Sequence, residues 1–348
     1  MKHCIYLKGT EPTLSFNSRE HIFPAGIGGI QMLPKGYVSD QFNNSFSKIE
    51  MDFMRNSLAL PRQFYGPGKR GSLLQKKATK SKISIIENIN NPKDITFGYI
   101  SLGQPHNIPQ IKININGTCT FIADKSAPNY MEQLYDFIAA LETFNGQYIL
   151  YEDDRFSDEE MILGYYDKKW YLGLKNHDLT LKVSEFIQKI LEQRPFEKQK
   201  VNHDMFQPKV SQKLYFDMNN YFRTCAKIVF NYLAYVKGLD FVLNSCFDPI
   251  RNWIVNGGEN EFSQLIQKED DEKGLNGLPF PDSAHKIIIT KIKNRLFGYV
   301  SFYGSSFETM TVLADSFSGT FEIEGYICDW KNRKEYTLVE FLQSLHNR

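Results

Sequence analysis

Ser18-Arg19-Glu20-His21-Ile22-Phe23-Pro24-Ala25-Gly26-Ile27-Gly28-Gly29, followed by Tyr37-Val38-Ser39-Asp40-Gln41-Phe42-Asn43-Asn44, is the stretch on which the amino-terminal fold turns. A short extended run carries a carboxylate beside an imidazole, and glycines then reverse the chain. A helical pattern follows over residues 43–57, with Phe42, Phe46, Ile49 and Phe53 as its apolar stripe. Asp52 and Asn56 stand one turn apart on that helix, with the spacing to converge on one ion. Such a layout suits phosphodiester hydrolysis assisted by a single divalent cation. The ion takes up charge on the phosphate and leaving oxygen, and a neutral imidazole accepts a proton from water.

These residues resemble the HNH endonuclease family. Its ββα-metal core carries an acidic residue before the histidine, a proline three residues after it, a Gly-Gly turn and an asparagine opening a helix. The resemblance covers about residues 4–70. It implies that His21 activates water and that Asn43 holds the loop carrying that base, an asparagine there being also a favoured helix N-cap. It implies an ion held by Glu20 and Asp52, with Asn56 and then Glu50 as further candidates. Glu20 has a second reading, as a partner that orients His21. With oxygen donors the ion expected is Mg²⁺ or Mn²⁺. Many relatives add a structural zinc on two C-x-x-C pairs. Here Cys4-Ile5-Tyr6-Leu7 and Ser39-Asp40-Gln41-Phe42 stand in those places, and only Cys4 remains. A structural zinc is therefore not expected, and Leu7 with Phe42 is expected to form an apolar cluster instead. Cleavage leaving 5′-phosphate ends, in a bacterial defence or restriction-like setting, is what the family implies.

Charge agrees with a polyanionic partner for the first part of the chain. Residues 1–82 hold thirteen Lys and Arg against five Asp and Glu, a balance of +8, while the rest carries −7 and the whole only +1. Arg19, Arg62, Lys69, Arg70, Lys76 and Lys77 are the candidates for contact with DNA phosphates, with RNA left open. Five scattered cysteines suit a reducing cytoplasm. No apolar run is long enough for a bilayer, so no membrane association is expected.

The expected fold class is α+β, an amino-terminal HNH-type module followed by a larger mixed region. The boundaries read as 1–65 for the nuclease module, 66–82 for a basic linker, 83–200 for an α+β domain and 201–348 for a second one. The last would sense a trigger, bind a protein partner or support a homo-oligomer. Gly66-Pro67-Gly68-Lys69-Arg70-Gly71 has the spacing of a dinucleotide-binding turn, but no strand precedes it. Strands are expected at 83–89, 95–102, 108–122, 148–151 and 170–174, with Asn116-Gly117 as a hairpin turn. Helices are expected at 130–144, 183–191, 214–236 and 247–255. A hairpin around 293–295, strands near 309–314 and 319–328 and a helix near 337–346 follow. His285, Arg251 and Lys227 are polar residues for which a structural role is favoured over a second site. A second function class also stands: a module of the same fold that docks nucleic acid or protein and has lost its chemistry.

Overall fold

Glycines and one serine shape the amino-terminal segment. Ile22 N–H donates to Gln31 O and Leu33 N–H to Glu20 O, while His21 and Met32 form an isolated antiparallel bridge. Gly28 takes a left-handed φ of 104°, and a Cβ on Gly29 would lie 1.9 Å from Phe23 O. The expected strand and return thus shrink to one bridge and its flanking bonds. Helix α1 (Asp40–Asn56) begins before Asn43. Ser39 Oγ accepts from Phe42 N–H at 3.3 Å, so Ser39 caps the helix and Asn43 lies in its first turn. Phe42, Phe46 and Phe53 are buried as the stripe predicts. After the short α2 (Arg62–Tyr65), the segment read as a basic linker is folded rather than free. Arg62 is buried and donates to the carbonyls of Pro67 and Gly68. Tyr303 OH donates to Gly66 O and Arg333 to Gly71 O.

This computed structural model describes residues 2–56, 62–124, 129–193, 208–211, 217–267, 278–304 and 307–346. The chain forms two units: residues 1–79 with 214–348, and residues 80–213 between them. The first and last parts share one unit, where the sequence suggested consecutive domains.

The inserted unit contains β1 (Ser84–Asn88), β2 (Asn91–Ser101), β3 (Gln104–Asn107), β4 (Gln110–Asn114), β5 (Cys119–Ile122), α3 (Tyr130–Glu142), β6 (Ile149–Glu152), β7 (Glu160–Tyr166), β8 (Lys169–Leu174), α4 (Val183–Gln193) and β9 (Pro208–Ser211). They build a sheet of order β3-β2-β1-β9 and another of order β5-β4-β7-β8-β6. The buried Gln110 side chain joins them, accepting from Phe97 N–H and donating to Phe97 O and Ile108 O. Strand β7 has no counterpart among the expected strands, because Met161-Ile162-Leu163 is apolar without alternation.

The last part contributes α5 (Met218–Lys237), α6 (Leu239–Val242), α7 (Asp248–Asn256), β10 (Ser263–Gln267), β11 (His285–Ile292), β12 (Arg295–Ser301), β13 (Phe307–Ala314), β14 (Glu324–Asp329), β15 (Lys334–Thr337) and α8 (Leu338–His346). The strands form an antiparallel sheet of order β10-β13-β12-β11-β14-β15. The acidic, glycine-containing stretch 267–277, which reads in sequence as a surface loop, falls almost wholly outside the described residues. Asp217 caps α5 by accepting from the N–H groups of Asn219 and Asn220. Residues 221–234 of α5 are all buried. They share one core with Tyr6, Phe23, Phe42 and Phe53 from the amino-terminal segment and with Ile287, Val300 and Tyr326 from the sheet. The architecture is α+β. Among the described residues no helix is long and apolar enough to cross a membrane.

Because that core is shared, residues 1–79 expressed alone should not fold. Their thermal melt should show no cooperative transition, and their amides should exchange freely in hydrogen exchange. A cooperative melt of the isolated segment would contradict the shared core.

Candidate functional site

Asp40, at the start of α1, fixes the turn that leads into the histidine. Its Oδ1 accepts from Ser18 N–H at 2.9 Å and Ser18 Oγ at 2.6 Å, and its Oδ2 from Asn17 N–H at 2.9 Å. The Ser18 hydroxyl and these amides hold its carboxyl well below the usual carboxylate range. Asn43 Nδ2 donates to Ser18 Oγ at 3.2 Å, so Asn43 touches the segment before His21. From the other side, Asn231 on α5 donates to His21 O at 2.9 Å, and Tyr6 OH donates to Asn231 Oδ1 at 2.6 Å. The His21 carbonyl is thereby held by Asn231, and the turn before it by Asp40 and Asn43. Its imidazole is only partly buried, and burial lowers its pKa below the ordinary value, with the charges of Lys227 and Arg19 adding to the effect against Glu335 and Glu50. A neutral, partly accessible imidazole is the form able to accept a proton.

Glu20 does something the sequence did not suggest. Its Oε1 lies 2.5 Å from Lys227 Nζ, and Glu50 Oε1 lies 2.9 Å from the same nitrogen. Lys227 is 2% exposed. Burial alone would lower its pKa, but the two carboxylates raise it above the ordinary lysine value and keep it charged. The helix carboxylate brought to Glu20 is thus Glu50, not Asp52. Two residues on, Asp52 is turned about 200° around the helix axis. The Asn56 side chain lies outside the described residues. The signal available in the sequence was the i, i+7 spacing of Asn43 and Glu50, which places them on one helix face.

These donors do not fit a resident Mg²⁺ or Mn²⁺. The ammonium already stands between the two carboxylates that converge. Among the described residues no group of three or more His, Cys, Asp or Glu side chains is gathered as a metal site. Around Cys4, Ser39 Oγ approaches Sγ at 3.3 Å, and Tyr6 stacks on Phe42 with ring centroids 3.9 Å apart. The expected apolar cluster therefore forms with Tyr6 in place of Leu7, which is exposed.

The basic candidates divide by exposure. Arg19, Arg70, Lys76 and Lys77 are at the surface, Arg19 also donating to Leu33 O. Buried Arg62 has no access to a phosphate, and the Lys69 side chain lies outside the described residues. Lys227, Arg251 and His285 serve structure. Arg251 donates to Ile5 O at 2.6 Å and to Val242 O. His285 Nε2–H donates to Ile27 O at 2.8 Å while Nδ1 accepts from Tyr303 N–H at 3.1 Å, which fixes one neutral tautomer behind the glycine turn.

No family model, curated protein or solved structure matches the chain.

Burial pulls the His285 pKa down to about 4 from an ordinary 6.5. Between these values the unfolded chain binds a proton that the folded chain refuses. Stability contributed by neutral His285 is complete above about 6.5 and is lost as pH falls toward about 4, by up to about 3 kcal/mol. Denaturation midpoints at pH 7 and pH 4.5 should therefore differ less for His285→Gln, which keeps a donor and an acceptor, than for the wild type. Equal differences would remove His285 as a source of acid lability.

Proposed function

We propose that the unit formed by residues 1–79 and 214–348 cleaves phosphodiester bonds in DNA with His21 as the proton acceptor. The observation that carries this reading is the His21 geometry: a backbone held by Asn231 at its carbonyl and by the bonds of Glu20 and Ile22 with Leu33 and Gln31 on either side, beneath an imidazole held neutral and partly open. Arg19, exposed and next but one to His21 in sequence, would take charge on the phosphate as water attacks, and the departing oxygen would take its proton from solvent. Arg70, Lys76 and Lys77 would track the backbone without reading sequence. No step is assigned to a metal ion, since Glu20 is bound by Lys227. That occupation of Glu20 also favours a second reading, a docking module that keeps the fold without the chemistry.

A plasmid-nicking assay separates the two. His21→Ala should lower cleavage by about two orders of magnitude or more, with the thermal midpoint and DNA affinity unchanged. The wild-type rate should rise with pH and level off below the ordinary histidine pKa, because the base is already neutral there. Equal rates for wild type and variant would leave the docking reading alone standing.

Affinity gives an independent measurement. Neutralising Arg70, Lys76 and Lys77 together should weaken binding to all duplex sequences alike. It should also flatten the salt dependence by up to ~0.9 log unit for each phosphate left without its cation. The same change at Lys286, Lys291 and Lys293 should cost much less. The reverse order would move phosphate binding to the carboxy-terminal sheet.

A further inference from the structure

We infer that Lys227 is the resident cation of this site, an ammonium on α5 standing where the two converging carboxylates, Glu20 and Glu50, would otherwise hold a divalent ion. The distances of 2.5 Å and 2.9 Å place Nζ in the space both carboxylates reach, and two cations do not share it. Nor does Nζ have a way out. Lys227 is 2% exposed, with the Phe46 ring 5.4 Å from Nζ. Residues 221–234 on either side of it are buried in the core. Withdrawing the side chain would leave an ammonium unpaired in that core and two carboxylates facing each other without a countercharge. An added ion therefore meets a site whose shared space is filled by an ammonium that already offsets one of the two carboxylate charges.

Nearby groups agree with this assignment. Asn231, one turn further along α5, has its amide committed to His21 O and its oxygen to Tyr6. Arg223, one turn back, donates to Ile254 O and Val255 O. Neither offers Lys227 or the glutamates an alternative partner. The inference concerns the resting chain and does not depend on cleavage, so an inactive protein would leave it intact.

The test is Mn²⁺ binding to the full chain, read from the loss of the free-ion signal in electron paramagnetic resonance. Wild type and Glu20→Gln should bind Mn²⁺ alike, with no site that depends on Glu20. A one-to-one site in the wild type that Glu20→Gln removes would overturn the inference. Lys227→Met, close in length but uncharged, supplies the converse. It should melt below the wild type in EDTA, regain stability with added Mn²⁺, and lose that gain in the Lys227→Met, Glu20→Gln double variant. A Lys227→Met protein whose melting is indifferent to Mn²⁺, or that cannot be folded even with Mn²⁺ present, would equally overturn the idea that the ammonium stands in for an ion. The wild-type comparison needs neither lysine variant to fold.

Discussion

A row of polar side chains buried on one face of α5 sets the terms for the larger unit. Arg223, Lys227 and Asn231 recur every four residues and so stack along the helix. All three lie in the core, where an unpaired charge or amide would cost more than the surrounding apolar packing could easily offset. Each is therefore matched. Arg223 takes carbonyls at the end of α7, Lys227 takes Glu20 and Glu50, and Asn231 takes His21 O and Tyr6. The amino-terminal segment is thus required by α5 as much as it requires α5.

That mutual need explains the local geometry of the site. Glu20 points inward because a buried ammonium lies there, and its neighbour His21 is left with its ring partly open, as adjacent residues of an extended run are. His285 and Arg251 act on carbonyls of the same segment, at Ile27 and Ile5. The amino-terminal segment is accordingly positioned through its backbone by side chains more than 200 residues away. Substitutions on α5 or β11 would move His21 without touching its side chain.

Local signals carry most of the elements. Alternation locates β1, β2 and β11, and the apolar stripe locates α1, while α5 starts at Met218, after the Asp217 cap, and so later than the expected 214. Pairings across the insertion are another matter. A structural role is legible for Lys227, but nothing near Arg223, Lys227 and Asn231 in sequence supplies their partners. Glu50 ranks below Asp52 when the family pattern sets the spacing from Asn43. With Ser39 as the cap, Asn43 is already inside the helix, and an interval of seven residues keeps a side chain on the same face whereas nine turns it away. The 66–82 stretch looks like a linker because its charges and glycines are common in linkers. Its anchors are Tyr303 and Arg333, far along the chain.

The insertion of residues 80–213 between the two halves of a shared core also orders events in time. During synthesis Glu20 emerges 207 residues before the lysine that neutralises it. At about 5–20 residues per second that is a wait of roughly 10–40 s. Among the described residues the strands of the inserted unit pair within its own span, so its sheets can form during this interval. The amino-terminal segment cannot, and its aromatic stripe and acidic pair stay exposed until α5 arrives. Long-range closure of this kind slows folding. Until α5 emerges, Phe42, Phe46 and Phe53 lack the part of their core that it and the later strands supply, and transiently exposed apolar surface of this kind is what makes nascent chains prone to aggregate.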